Sequence, residues 1–260
     1  MGGAGRRRAR PGRGVGLSLT LTVLGCDGSH AGAGGAASGY LVRSWSSGTS
    51  LWLDAGPGTF ANLQRFLDPR RLSAIVLSHE HTDHWSDLQG FLTASHTTAG
   101  PPPAPVTVLA APGIRDRVVQ DIDDVLDWRE VGDGDAVAVG DLDLWFSRTD
   151  HPPVTLAVRI EGPSGSLGYS ADSGPGWSLD TLGPDLDLAL CEATYTSDYE
   201  GTAGHMSGRQ AGATAKRARV RRLVVTHRWP TIAAADVERE ARAAFDGPVS
   251  SAAVGRGFSL

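Results

Sequence analysis

Three of the chain's eight histidines fall within six positions, in Leu77-Ser78-His79-Glu80-His81-Thr82-Asp83-His84. Imidazoles and a carboxylate at this density suit a divalent ion, Zn²⁺ first and Mn²⁺ or Fe²⁺ less exclusively. The segment follows Ala74-Ile-Val-Leu77, which reads as a short buried strand. Such a strand fixes the backbone while the loop after it presents side chains at the end of the sheet. His79 and His81, two residues apart in extended backbone, point the same way and reach one ion. Asp83 and His84 turn into the next helix and reach a second, and Glu80, alternating away from both histidines, is expected to face solvent.

Four ligands do not complete two sites, so further His and Asp are expected at the ends of later strands. They are present: His151 closes the run from Leu142 to Asp150, Asp172 follows Leu167-Gly-Tyr-Ser-Ala171, and His227 follows Leu223-Val-Val-Thr226. Taken singly, a polar residue after an apolar stretch is more often a cap or a satisfied core group. The specificity lies in the set.

The elements that must position these residues are short. Apolar and alternating runs predict strands at about 17–25, 40–45, 50–54, 73–78, 106–110, 141–149, 154–161, 166–170, 187–191, 222–226 and 248–254. Helical spacing predicts helices near 59–67, 85–96, 113–126, 207–219 and 234–245. Strands dominate the first two thirds and then alternate with helices, which suggests sheet layers covered by helices over 17–260 as one domain. With 260 residues, 27.2 kDa and 40% hydrophobic residues, the chain is long enough for a sizeable core. Residues 1–16 hold five Arg and no acid, and read as a disordered basic tail. The stretch Val15 to Cys26 imitates a signal sequence, but Leu17, Leu19, Leu21 and Val23 alternate with Ser18, Thr20 and Thr22, the mark of a half-buried strand. No apolar run approaches the ~20 residues that a spanning helix needs. Two cysteines, Cys26 and Cys191, exclude a disulfide scaffold, read as buried thiols, and point to the cytoplasm.

The sequence resembles the metallo-β-lactamase fold superfamily, whose signature His-x-His-x-Asp-His is matched by His79, His81, Asp83 and His84. Within it the chain is most similar to the ribonuclease Z-like phosphodiesterase branch. The likeness rests on Tyr169-Ser-Ala-Asp172-Ser-Gly, Cys191-Glu-Ala-Thr-Tyr195, Gly204-His-Met-Ser207-Gly-Arg-Gln210 and Val224-Val-Thr-His227. That resemblance implies an α/β fold, a four-layered αββα sandwich with its site at one edge. It implies one metal held by His79, His81 and His151, another by Asp83, His84 and His227, and Asp172 bridging. The nucleophile would be a hydroxide between the two ions, with Asp83 also counted as catalytic, and Ser78 and Cys191 would then be structural. His205 would be a non-ligand histidine that stabilises developing phosphorane charge and protonates the leaving alkoxide. Ser207, the expected N-cap of the helix after it, would offer hydroxyl and N–H to a phosphate, and Glu192 would orient a ligand imidazole. Trp85, Trp177 and Trp229 flank these motifs and are candidates to wall a base-sized pocket.

Departures from the family bear on the substrate. The tRNA-processing members of the branch carry a long arm between the positions matching His151 and Asp172, and here only two strands and a turn fit between them. Net charge is −5, and without the basic tail the remainder is twice as negative, a poor general surface for nucleic acid. One local basic stretch, Arg209, Lys216, Arg217, Arg219, Arg221 and Arg222, runs the other way. A small phosphodiester is therefore expected, cyclic AMP first, and the overall pattern resembles compact actinobacterial-type cyclic nucleotide phosphodiesterases. The alternatives are an armless tRNA 3′ endonuclease, with tRNA as partner, and then a lactonase or thioesterase of the same fold. No membrane partner is expected, and a homodimer is left open.

Overall fold

The structure, a computed structural model, describes residues 18–97 and 100–260; the basic tail expected over 1–16 lies outside them. The alternation from Leu19 does form a strand, β1 (Leu19–Gly25), with Leu19, Leu21 and Val23 buried and Thr20 and Thr22 half-buried. It pairs antiparallel with β2 (Gly39–Ser44), which pairs antiparallel with β3 (Ser50–Leu53). From β3 the order continues in parallel through β4 (Ala74–Leu77), β5 (Val106–Ala110) and β6 (Leu126–Glu130). A second sheet begins with the antiparallel strands β7 (Ala136–Val139), β8 (Leu142–Arg148), β9 (Leu156–Glu161) and β10 (Ser166–Tyr169). It turns parallel through β11 (Leu188–Glu192), β12 (Leu223–Thr226) and β13 (Val249–Ser251). The last strand, β14 (Gly257–Ser259), returns to the outer edge of the first sheet beside β1.

One buried cluster takes in residues of both sheets, among them Leu21, Leu53, Val76, Leu144, Ile160 and Leu167, so the sheets face each other across a shared core. On the far side of the first sheet, Trp52 packs against Phe60 of α1 (Thr59–Leu63) and Phe91 of α2 (Leu88–His96). On the far side of the second lie α3 (Gly208–Arg217) and α4 (Ala234–Ala244), whose Ala211, Ala215, Val237 and Ala241 pack on Ala189, Leu223 and Val225. These two helices approach closely because Gly208 has no side chain: a Cβ there would stand 2.3 Å from the Val237 carbonyl oxygen. The layers are those of an αββα sandwich.

The structure departs from the sequence expectations at one helix, three strands and one cysteine. Residues 113–126 do not form a helix. Only Arg115–Arg117 makes a 3₁₀ turn, Gly113 sits at φ 93°, and the Asp121 carboxylate accepts from the Asp123 N–H, a local turn bond that competes with helix. The segment then enters β6, which, like β7 and β14, the sequence reading did not anticipate. β6 and β7 keep most side chains exposed or half-buried and so carry no strong apolar signal. Cys191 is buried as expected, but Cys26 is only half-buried; both are free thiols.

Candidate metal centre

Every predicted ligand leaves its strand at the end where the two sheets meet, the usual place for a site in parallel sheets. His79 to His84 follow β4, His151 follows β8, Asp172 follows β10 and His227 follows β12. Six of the chain's eight histidines gather there, and His30 and His96 lie exposed elsewhere.

Among the described residues two ion-sized clusters match the predicted sets, and a third group, Asp172, His205 and His227, overlaps them. In one, His79 Nε2 and His151 Nε2 stand 3.1 and 3.3 Å from His81 Nδ1, with Asp172 Oδ2 3.5 Å from His79. In the other, His84 Nε2 and His227 Nε2 are 3.3 Å apart, and Asp83 Oδ2 lies 3.3 and 3.4 Å from them. Asp172 belongs to both, because its Oδ1 is 3.3 Å from His84 Nε2 and 3.2 Å from His227 Nε2.

The outward nitrogens decide what the inward ones offer. His84 Nδ1 meets Asp54 Oδ2 at 2.7 Å and His151 Nδ1 meets the Gly204 carbonyl at 3.0 Å; both partners only accept, so each ring donates from Nδ1. The Ser78 hydroxyl donates to Asp54 Oδ2 and the Thr194 hydroxyl donates to Glu192 Oε2. Each therefore accepts from the adjoining imidazole, His79 Nδ1 and His227 Nδ1, at 3.0 Å. When neutral, these four imidazoles thus turn an Nε2 lone pair inward. The buried Asp172 Oδ1 accepts no hydrogen bond. A convergent set of lone pairs with an orphaned carboxylate oxygen fits divalent cations. Electrostatics agree. Burial opposes a charge on His84, yet Asp172, Asp83 and Asp54 outweigh it and raise its pKa well above the usual histidine value, so this cavity favours positive charge.

Asp54 is a functional residue that the sequence reading missed. Fully buried, it accepts from Ser78 N–H, Ser78 Oγ, His84 Nδ1 and Tyr169 Oη, the last at 2.6 Å. Its signal was available, for it directly follows the apolar Leu51-Trp-Leu53, as His227 follows its own run. Asp54, Ala171 and His227 all have φ near 50°, a left-handed conformation that costs a non-glycine residue roughly 1–3 kcal/mol. Half of the six such residues in the described structure therefore aim or adjoin groups of this centre.

His205 lies beside both clusters without completing either predicted set, its ring 4.9 Å from that of His151 and 5.3 Å from that of His227. Its Nδ1 is 3.0 Å from Glu192 Oε1 and 4.0 Å from Asp172 Oδ2. Burial works against a charged ring, but the Glu192 carboxylate, with Asp172 behind it, raises its pKa to about 9. Glu192, fully buried, also accepts from Met206 N–H; it holds His205 directly and reaches the ligand candidate His227 only through Thr194. Ser207 is buried and closes a capping box with Gln210, and its hydroxyl donates to Glu200, so both of its valences are used away from the cavity.

A cavity of about 460 Å³ opens over the clusters, floored by His81, Asp83, Asp172 and His205 and edged by Ser29, Thr82, Glu80 and Arg117. Glu80 does not stand free in solvent: it is partly buried and pairs with Arg117 at 3.0 Å. Trp85 is buried and donates to the Glu80 carbonyl, and Trp177 belongs to the core under α3. Trp229 alone of the three tryptophans reaches the rim, donating to Ser29 Oγ at 3.1 Å.

A family model described as a beta-lactamase superfamily domain matches residues 49–228. A protein of Mycobacterium leprae is 36% identical over 96% of this chain and 91% of its own length. The probable metallo-hydrolase YhfI of Bacillus subtilis is 30% identical over 91% of this chain and 98% of its own. The crystal structure of that Bacillus protein superposes with a TM-score of 0.84 at 26% identity, covering 92% of this chain and 99% of the other. A ribonuclease Z of Mycolicibacterium paratuberculosis is 28% identical over 85% of this chain and 90% of its own length.

Proposed function

Because the chain belongs to the beta-lactamase superfamily and is a metallo-hydrolase of that fold, we propose that it hydrolyses a small phosphodiester, with a cyclic nucleotide such as cyclic AMP the foremost substrate. Two divalent ions, Zn²⁺ by preference, would be held by His79, His81 and His151 and by Asp83, His84 and His227, with Asp172 between them. Bound there, such ions supply Lewis acidity, lowering the pKa of water and neutralising phosphoryl oxygens.

The observation that carries phosphodiester chemistry is the His205–Glu192 pair. A buried carboxylate keeps a proton on an imidazole that borders the cavity but is not needed as a ligand. His205 is thereby suited to meet negative charge on the phosphorus and to hand its proton to the departing alkoxide. Asp83, which lines the same cavity, is held ionised: burial opposes its charge, but His84 and His227 outweigh burial and keep its carboxyl far below the usual range. Neither thiol is suited to act as nucleophile: burial and the Glu192 charge push the Cys191 thiol up, and burial with the Asp27 charge pushes Cys26 up to about 11.

The relatives include a ribonuclease Z, which keeps tRNA as the second reading. The charge pattern favours the first. Of the one local basic stretch, Arg209 pairs with Glu200, Lys216 with Asp246, Arg217 with Asp180, Arg219 with Asp185 and Arg221 with Asp187. Arg222 alone of the stretch meets no acid among the described residues, reaching only the Ser259 carbonyl, so most of this surface's charge is already matched.

Metal-reconstituted protein assayed in parallel on cyclic AMP, bis-p-nitrophenyl phosphate, a precursor tRNA and a lactone tests the reading; tRNA cleavage at catalytic enzyme concentration, with cyclic nucleotides untouched, would reverse it. His205→Ala should keep the metal content and lower kcat by roughly 10²–10⁴-fold. The loss should be larger on cyclic AMP than on the p-nitrophenyl ester, whose phenolate leaves without help. Loss of metal from this variant would make His205 a ligand instead.

A further inference from the structure

Above its acidic floor the cavity has a rim, and there Arg117 is the one lysine or arginine among the lining residues. It is held in place. Arg117 Nε and Nη2 both donate to Glu80 Oε2, at 3.2 and 3.0 Å. The short turn that carries it is anchored by Ile114 and Val118, both buried. Gly113, just before, is in the left-handed region, and a Cβ there would come to 3.0 Å from Glu80 Oε2, so the glycine leaves that carboxylate its room. Nη1 of Arg117 has no partner among the described residues, and the side chain is 56% exposed.

This is an odd place for a general anion trap. The charge of Arg117 is already met by Glu80, and on the floor it is His205, with ions when bound, that would meet phosphoryl oxygens. What remains is a rigid fork with free N–H groups, suited to a neutral acceptor at a fixed distance from the reacting ester. Ser29 and Thr82 add hydroxyl groups to the same rim, and Trp229 donates to Ser29. We propose that the Glu80–Arg117 pair is a specificity element that holds the nucleoside side of the phosphodiester, Arg117 donating to its oxygen or ring-nitrogen acceptors and Glu80 positioning Arg117. This rests on the nucleotide reading of the substrate.

The test compares R117A, R117K and E80Q with wild type on cyclic AMP and on bis-p-nitrophenyl phosphate, with metal content and thermal melting measured for each. R117A should raise KM for cyclic AMP by roughly 10- to 100-fold, the range for removing a charged hydrogen-bond donor, with kcat much less affected. Its kcat/KM loss on cyclic AMP should exceed that on the nitrophenyl ester by tenfold or more. R117K should recover only part of the loss, because an ammonium lacks the fork, and E80Q should follow R117A in direction with a smaller effect. Equal losses on both substrates, a loss confined to kcat, full rescue by lysine, or wild-type kinetics for R117A would each overturn the assignment. Wild-type protein that cleaves the nitrophenyl ester but no cyclic nucleotide overturns the substrate reading itself, and this occupant with it.

Discussion

The two ion-sized clusters are built from the same residue types and differ in how firmly they are held. Asp83, His84 and His227 are all buried, and their imidazoles are fixed from behind by side chains, Asp54 on His84 and Thr194 on His227. The other cluster includes His81, which is exposed and whose Nε2 has no partner among the described residues, and His151, fixed by a backbone carbonyl. One cluster meets the cavity only through Asp83 and the shared Asp172 and has both imidazoles braced by side chains, whereas the other presents His81 to the cavity and is braced on two of its three imidazoles. If both clusters hold ions, exchange with substrate or solvent would be expected first at the His81 side, with the braced imidazoles keeping the geometry.

Several substitutions would break or sharpen that contrast. Asp172→Asn strikes both clusters, and activity on bis-p-nitrophenyl phosphate should fall by roughly 10³-fold or more, as several kcal/mol of transition-state stabilisation go. Elemental analysis should show less of both ions; full retention of either would mean that Asp172 does not serve both. Thr194→Val leaves every ligand in place but unties His227, and should weaken metal at the braced cluster by roughly 10- to 100-fold in chelator competition. Equal weakening of both ions would erase the distinction. The smallest effect is expected from Ser207→Ala, which touches neither cluster: about 1 kcal/mol of stability by thermal or denaturant melting, with metal content unchanged. A raised KM in that variant would restore Ser207 to phosphate binding.

How much of this was legible in the sequence follows the same divide between dense and dispersed information. His79 to His84 lie within six positions, and that density alone announces metal chemistry. His151, Asp172 and His227 are single residues, visible only because each ends an apolar run at a strand terminus. Asp54 ends an apolar run in the same way and Thr194 lies within the Cys191–Tyr195 motif, yet neither shows its role in sequence, because their work is to hold the far nitrogen of an imidazole, a relation between strands that a one-dimensional pattern does not carry. Ser207 was correctly placed as an N-cap, since a capping box is local. Arg117 was hidden inside a segment read as helix, where apolar spacing suggested one and Gly113 with the Asp-rich turn after it prevented one. Strands β6 and β7 escaped for lack of a buried face.

Both clusters draw their members from both halves of the sandwich. His79, His81, Asp83 and His84 hang from the first sheet, and His151, Asp172 and His227 from the second. An ion in either position is therefore a rivet between layers that no disulfide joins. Along this edge the sandwich presents imidazoles and carboxylates from facing layers at ion-pair distance, with the buried Asp172 Oδ1 left without a hydrogen bond. Ions bound there would add to the cohesion of the two layers, so the thermal stability of the edge should rise with free metal concentration.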